Sequence, residues 1–317
     1  MTIFYNTDGI PTNKPKDNKF WIQKFNDQIL LKEGDITSDI DYACVRLHDL
    51  LATKIFGDKQ IYYRMLPSIP MWMVYGGIDS DIKISKEQFE KIVGKGERDE
   101  VFNKLLYFYD CRNLISTLQN AVIEAKYLFG QFYRLLNEED FLLADKRPLD
   151  PNNIQFASGL IVTNIISTIN YFFINLYSQL DFVTKVAYEF ENLIADFSKY
   201  PKLKSSNLLF GDNKKLSISG CEGSLFEASS NTDTIMTIRN EIVHNSSYDN
   251  MPKVYQVFSA GTLIEKYILL PDLQNGRLKT FKNRKRFFDN DVRLNDILPS
   301  LTIEFWKRLK ITLDNIK

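Results

Sequence analysis

The segment IRNEIVHN contains three side chains suited to chemistry on RNA: Arg239, Asn240 and His244. Histidine is the one common side chain whose unperturbed pKa lies near neutrality. It can therefore take a proton from a ribose 2′-hydroxyl or give one to a leaving oxygen. Arginine can hold a phosphate and offset charge that builds on its oxygens, and an amide can orient either the imidazole or the substrate. These three residues on one helix are sufficient for cleavage of RNA without a metal ion.

Helical spacing separates the arginine from the histidine. Asn240 and His244 are four residues apart and lie on one face of a helix. The Cβ directions of Arg239 and His244 differ by about 140° on an ideal helix. Apolar residues surround the direction of Arg239, where an unpaired charge is costly.

Three arrangements satisfy this spacing. Arg239 could reach a buried carboxylate. The helix could end near His244, within residues 245–247, so that the imidazole swings round. Alternatively, this face could meet a second subunit, with the charged groups lining a groove between the two copies.

The sequence Arg-Asn-Glu-Ile-Val-His resembles the signature of the HEPN superfamily (higher eukaryote and prokaryote nucleotide-binding). That signature has an Arg, about four to six further residues and then a His, and a polar residue, often Asn, commonly follows the Arg. The resemblance implies a helical bundle in which the signature lies towards the end of a long helix, before a loop and a last helix. It also implies a metal-independent endoribonuclease from a toxin–antitoxin, abortive-infection or CRISPR-linked defence system.

Under this resemblance, Arg239 would stabilise the scissile phosphate, His244 would act as acid or base, and Asn240 would position both. Family members pair as homodimers, so that two motifs form one composite site. RNA is the expected partner, an antitoxin or defence-system protein is a further one, and neither a cofactor nor a metal is expected. One departure concerns Ser246, which stands where related toxins often carry a Tyr. Control by adenylylation of such a Tyr is therefore not expected.

Two other interpretations fit the same residues. A helix that ends in Arg-Asn-x-x-x-His can owe these residues to C-terminal capping and a surface ion pair. A HEPN-like protein can also bind nucleotides or RNA, or act as a scaffold, without cleaving.

A second candidate surface is the basic segment GRLKTFKNRKRFF, in which no acidic residue occurs between Leu273 and Phe288. Basic side chains suit phosphates and interleaved phenylalanines suit bases, as in single-stranded RNA binding. The alternative is a solvated hairpin whose phenylalanines lie in the core. The predicted RNA-binding residues are Lys279, Lys282, Arg284, Lys285 and Arg286.

Composition limits the function classes. The 40 basic and 40 acidic side chains cancel. A protein that binds nucleic acid by bulk charge is usually more basic, so any RNA contact must come from a local patch or a small substrate. The three cysteines are far apart and form no CxxC pair, which argues against a disulfide framework or a zinc site and favours a cytoplasmic protein. The start of the chain lacks a basic region followed by an apolar core, so no signal peptide is expected.

Apolar periodicity predicts a mainly α protein. The resemblance implies that its fold is a HEPN-like helical bundle with a small β-hairpin insertion and an N-terminal α-rich extension. Asn275–Gly276 is a strong turn dipeptide and places the hairpin within residues 253–290. We expect a region of unknown role over residues 1–98 and the HEPN-like domain over 99–317. The predicted helices span about 41–57, 99–137, 154–197, 225–245 and, from Asp296 or Ser300, the end of the sequence.

The helical pattern from 154 to 197 is longer than a typical globular helix. Two collinear helices, a kink, or a helix shared with a partner subunit would explain it. Its first part has no charged residue from Pro151 to Leu180, which raises a membrane question. Polar residues interrupt that run and the apolar pattern continues past Asp181, which favours a buried core or subunit-contact helix and no membrane partner.

Overall fold

The structure is a computed structural model, and it describes residues 2–5, 11–12, 23–24, 36–75, 83–96, 99–138, 154–249, 251–282 and 285–317. The described part of the chain is mainly helical and carries small antiparallel groups of strands. The coarse prediction of a mainly α protein is therefore confirmed.

The helices are α1 (Ile36–Phe56), α2 (Lys59–Met65), α3 (Trp72–Tyr75), α4 (Lys86–Gly96), α5 (Glu100–Glu138), α6 (Leu160–Glu191), α7 (Ser230–Asn245) and α8 (Leu294–Asn315). Short 3₁₀ turns lie at Leu66–Ser68, Phe210–Lys215 and Ser217–Gly220.

The strands are β1 (Thr2–Tyr5), β2 (Pro11–Thr12), β3 (Gln23–Lys24), β4 (Ile154–Ala157), β5 (Val254–Ser259), β6 (Thr262–Tyr267), β7 (Leu273–Gln274), β8 (Arg277–Leu278), β9 (Thr280–Phe281) and β10 (Lys285–Arg286). Their orders are β2-β1-β3, β4-β5-β6, β7-β8 and β10-β9, and every pairing is antiparallel.

The chain forms two compact units, each assembled from three segments. The first unit comprises Met1–Ile36, Ala121–Ser178 and Ala228–Lys307, and the second comprises Thr37–Asn120, Gln179–Glu227 and Arg308–Lys317. The expected division into a region of unknown role over residues 1–98 and a HEPN-like domain over 99–317 stays a prediction.

The first unit has an apolar core to which α7 contributes buried side chains. Ile235 and Ile238 of α7 are fully buried, and burial of each such side chain contributes roughly 1.5–3 kcal/mol. The rings of Phe129 and Phe172 lie 6.1 Å apart between their centroids. The backbone of α7 is therefore fixed by apolar burial, which leaves its other face available for polar residues.

The core of the second unit contains a buried carboxylate, Glu189. It accepts hydrogen bonds from the Tyr107 hydroxyl at 2.9 Å and from the backbone N–H and hydroxyl of Ser205 at 2.7 and 2.6 Å. Three donors compensate the cost of removing this carboxylate from water. Glu189 is therefore a structural residue that joins α6 to α5 and to the loop after α6.

Long-range pairing overrides the helical pattern at the start of α6. Residues 154–157, predicted as helix, form strand β4 because they pair with β5, Ile154 opposite Val257 and Ala157 opposite Val254. Gly159 has a φ of +113° and separates this strand from the helix. The helix also ends at Glu191 rather than at 197, so the predicted element was too long at both ends. In contrast, α5 agrees with its prediction to within about two residues.

The region between α7 and α8 contains more hairpins than the one predicted. Asn275 and Gly276 form the predicted two-residue turn, with φ values of +53° and +74°, between β7 and β8. Strands β5 and β6 pair with each other through a separate turn at Ala260–Gly261. The predicted β structure in this region is therefore confirmed, but its strands are divided between several small pairings.

Helix α6 is the one described helix that is long and apolar enough to cross a membrane by length and composition. Its most apolar 18-residue window is 44% buried within the protein. Because core helices of soluble proteins pass the same test, a single helix of this kind is weak evidence for a membrane span.

Gly276 seats the β7–β8 turn against the first turn of α7. A Cβ atom at this position would lie 2.7 Å from the Asp233 Cβ and 3.1 Å from the Ser230 carbonyl oxygen. With a positive φ as well, Gly276→Ala should lower the free energy of unfolding by about 1–3 kcal/mol. Urea unfolding followed by circular dichroism measures this change.

Gly94→Ala is the matched control. Gly94 lies inside α4 with no heavy atom within 4 Å of a built Cβ, so the substitution should stabilise by about 0.5–1 kcal/mol. Equal stability of Gly276→Ala and the wild type would contradict the close packing of the turn on α7.

Candidate active site

Helix α7 carries Arg239, Asn240 and His244, and its two ends are capped. At the start, the Ser229 side chain accepts a hydrogen bond from the Thr232 backbone N–H at 3.2 Å. The helix therefore begins at Ser230 rather than at the predicted 225, because a serine N-cap satisfies an otherwise unpaired N–H. At the other end Ser246 adopts the left-handed conformation, with a φ of 70°.

The end of α7 lies where the sequence predicted it. His244 is in the last turn and its side chain is exposed. Among the described residues, it forms no hydrogen bond or ion pair with another side chain. His244 is therefore accessible to a substrate.

Arg239 is half-buried beside the apolar face of α7 and has two contacts. Its Nη1 donates to Oδ1 of Asn240 at 3.0 Å, and its Cζ lies 4.3 Å from the centroid of the Tyr177 ring. Tyr177 belongs to α6. An arginine over an aromatic face is stabilised by roughly 0.5–1 kcal/mol at an exposed site. The fold thus supports this charge with a π-face and an amide.

These contacts decide between two of the three predicted arrangements. Within the described part of the chain, Arg239 pairs with no carboxylate, so the first arrangement is not adopted. The second holds in part, since the helix does end near His244. The structure brings Arg239 and Asn240 together, and no contact joins either residue to His244 in the same chain. The third arrangement, a second subunit, stays a prediction.

Glu241 is a residue of the motif that the sequence analysis did not use. Its Oε2 accepts from Nη2 of Arg286 at 2.5 Å and from Nδ2 of Asn245 at 2.8 Å. The Arg286 side chain is only 8% exposed and that of Glu241 24%. The helical spacing of Glu241 and Asn245 was visible in the sequence, but the partner from β10 was not. This ion pair holds the basic segment on the helix that carries the motif.

The other predicted RNA-binding residues differ in their exposure from Arg286. Lys279, Lys282 and Lys285 are exposed. Arg284 lies outside the described residues. Arg286 was predicted to contact RNA, but its nearly buried side chain is engaged by Glu241, and we assign it a positioning role.

The other histidine, His48, is in a different setting in the second unit. Its Nε2 lies 3.3 Å from Oε1 of Gln119, and burial lowers the pKa of this imidazole. A lowered pKa favours the neutral form of the ring, which suits its buried position beside Gln119. His48 therefore has a structural role, and it provides a control for substitutions of His244.

No protein-family model, curated protein or solved structure matches this chain. The resemblance to HEPN proteins therefore depends on the residues of α7 and on their setting.

The Glu241–Arg286 pair predicts a charge-swap rescue. Arg286→Glu places two carboxylates together and Glu241→Arg places two guanidinium groups together, so each should lower the free energy of unfolding by about 1–3 kcal/mol. The double variant Glu241→Arg/Arg286→Glu should recover at least half of the loss, as measured by urea unfolding in a double-mutant cycle.

The surface pair of Lys310 and Asp314, both on α8, serves as control. Lys310→Glu should change stability by less than about 0.5 kcal/mol, because exposed pairs contribute little. If the losses of the two single swaps simply add in the double variant, the ion pair does not hold the hairpin.

Proposed function

We propose that this protein is a metal-independent endoribonuclease with a HEPN-like helical bundle, and that residues 253–290 are the β insertion into that bundle. The observation that carries the proposal is the exposed His244 imidazole, one helical turn after the Arg239–Asn240 pair. The non-catalytic alternative, a HEPN-like nucleotide- or RNA-binding scaffold, is an outcome of the test below.

The proposed reaction uses the RNA's own 2′-hydroxyl as nucleophile. His244 accepts the hydroxyl proton, the 2′-oxygen bonds to phosphorus, and the bond from phosphorus to the 5′-oxygen breaks. That oxygen takes up a proton from a protonated imidazole. The products are a 2′,3′-cyclic phosphate and a 5′-hydroxyl, so atoms and charge balance without a further reactant.

Arg239 and Asn240 stabilise the charge that develops in this reaction. The guanidinium donates to the non-bridging phosphate oxygens, where negative charge accumulates in the transition state. Because Asn240 accepts from Arg239 through Oδ1, its NH₂ group is left to donate to the substrate. Tyr177 supports the guanidinium from below and limits the orientations that it can adopt.

We further propose that the working site forms between two copies of the chain. Within one helix, the Cβ directions of Arg239 and His244 differ by about 140°. A homodimer that places α7 against α7 brings Arg239 of one protomer towards the partner subunit's His244. A symmetric dimer then has two equivalent Arg239–His244 sites, whereas the resemblance implies one site composed of both motifs.

The resemblance also supplies the proposed context, a cytoplasmic protein of a toxin–antitoxin or phage-defence system whose partners include RNA and an antitoxin or defence protein. The free thiols of Cys44, Cys111 and Cys221 favour a reducing compartment.

The first test is cleavage in the presence of a chelator. Wild-type protein incubated with mixed RNA in EDTA should produce fragments with 2′,3′-cyclic phosphate ends, because the proposed groups need no metal. His244→Ala should reduce the rate at least about 100-fold, the typical contribution of a general acid or base. Gel analysis and mass spectrometry of the ends measure both results.

His48→Gln is the matched control and should cleave at the wild-type rate, since His48 lies in another unit. Equal behaviour of wild type and His244→Ala, with or without cleavage, would remove the nuclease assignment and favour the binding or scaffold alternative.

The second test is complementation between inactive variants. Arg239→Ala and His244→Ala should each be inactive. After mixing with exchange of subunits, half of the dimers are heterodimers, and each contains one intact composite site. Activity should then recover to about a quarter of the wild-type value, as expected for a two-fold symmetric assembly.

Recovery should require exchange, so mixing without prior dissociation of the dimers provides the control. Persistent inactivity after exchange, verified with differently tagged copies, would show that both groups must act from a single chain.

A further inference from the structure

The basic hairpin has two chemically different faces. Lys285 lies opposite Phe281, and Arg286 lies opposite Thr280. Since side chains at i and i+2 share one face of a strand, Lys285 and Phe287 project away from the face that carries Arg286. The face with Arg286 is the one turned towards α7, because Arg286 pairs with Glu241.

On the opposite face, cationic and aromatic side chains alternate and are exposed to solvent. Phe281 of β9 and Lys285 of β10 are paired on this face. Alternation along the chain places Lys279, just before β9, and Phe287, just after β10, on the same side. Phe281 is 55% exposed and Phe287 is 47% exposed, and both lysines are exposed. The prediction that these phenylalanines could lie in the core is wrong for Phe281 and Phe287, because the hairpin turns the Arg286 face inward.

Two charged neighbours complete the surface. The Lys282 Nζ lies 5.5 Å from the centroid of the Phe281 ring. Asp272, the acid that precedes the basic segment, is buried and accepts hydrogen bonds from the backbone N–H groups of Asp289 and Asn290 at 3.1 Å each. Its carboxylate therefore holds the base of the hairpin together. The acid that follows the segment, Asp289, has an exposed side chain.

We infer that this face binds single-stranded RNA, with phosphates on Lys279 and Lys285 and unpaired bases stacked on Phe281 and Phe287. Two exposed rings provide stacking surfaces for bases, and the neighbouring cations provide charge for phosphates, which are the two components of single-strand binding. A duplex keeps its bases stacked inside and offers nothing to the rings. The inference rests on the proposed function, and it specifies the substrate class of that site.

The Glu241–Arg286 ion pair connects this surface with the candidate active site. It fixes the inward face of the hairpin to the residue between Asn240 and His244. A strand bound on the outward face is therefore held at a constant position relative to α7. Binding and cleavage should then be separable, the first through the hairpin and the second through His244.

The experiment measures binding without cleavage. A fluorescent oligonucleotide of about 12 nucleotides, fully 2′-O-methylated, lacks the nucleophilic hydroxyl and stays intact. Wild-type protein should bind it at least about tenfold more tightly than the corresponding duplex. Fluorescence anisotropy at several salt concentrations provides the affinity and its salt dependence.

Three variants separate charge from stacking. Phe281→Ala/Phe287→Ala and the bulk-preserving Phe281→Leu/Phe287→Leu should each weaken binding at least about fivefold, with an unchanged salt dependence. Lys279→Ala/Lys285→Ala should weaken binding and reduce the slope of log K against log salt by about 1.4, or 0.7 for each lost phosphate contact. All four positions are exposed, and circular dichroism verifies that the variants fold.

Lys199→Ala/Lys202→Ala and Tyr42→Ala, which remove exposed cations and an exposed ring in the second unit, should bind like the wild type. Equal affinity for strand and duplex, full binding by the Leu variant, or binding to anionic lipid vesicles in place of RNA would each overturn the inference.

The outcomes also separate this inference from the proposed function. If the protein binds the single strand as described but does not cleave unmodified RNA, the RNA-binding face is supported and the nuclease assignment is rejected. If the hairpin variants bind and cleave RNA like the wild type, the nuclease assignment is supported and the RNA-binding face is rejected.

Discussion

The ion pair between Glu241 and Arg286 determines how the basic segment lies on the helix that carries the candidate motif. An arginine whose side chain is 8% exposed has lost most of its hydration, and only a charged partner with good geometry compensates that loss. Glu241 supplies it from within the motif itself. The same helix turn that presents Asn240 and His244 to solvent therefore also fixes the orientation of the hairpin and decides which of its faces is exposed.

Arg239 is also a charged residue close to the core, but its partners are uncharged. Two fully buried isoleucines set the rotation of α7 about its own axis, and this rotation places Arg239 at the margin of the core. A carboxylate there would neutralise the guanidinium, whereas an aromatic ring and an amide support it without consuming its charge. The arginine consequently keeps its capacity to bind an anion, which is what a phosphate-binding role requires.

The sequence correctly predicted the elements that depend on interactions between residues close together in the chain. The long α5, the end of α7 near 245 and the Asn275–Gly276 turn each follow from periodicity or from backbone preferences. Residues 154–157 could not be assigned in this way, because their pairing partner β5 lies about 100 residues later in the chain. The same reason applies to Arg286: its residue type indicated a phosphate contact, and only the folded chain shows that Glu241 already engages it. Tyr177 gave no signal at all, since nothing near it in the sequence points to an arginine.

The base of the basic hairpin is closed by backbone contacts rather than by the residues of its tip. The N–H of Asp272 donates to the carbonyl of Phe287 at 2.8 Å, and the Asp272 carboxylate accepts from the backbone N–H groups of Asp289 and Asn290. The chain thus enters and leaves this excursion at nearly one point. Within this segment Gly276 and Arg286 contact α7 and cannot change freely, so variation that preserves the fold is confined to exposed positions such as Phe281 and Phe287.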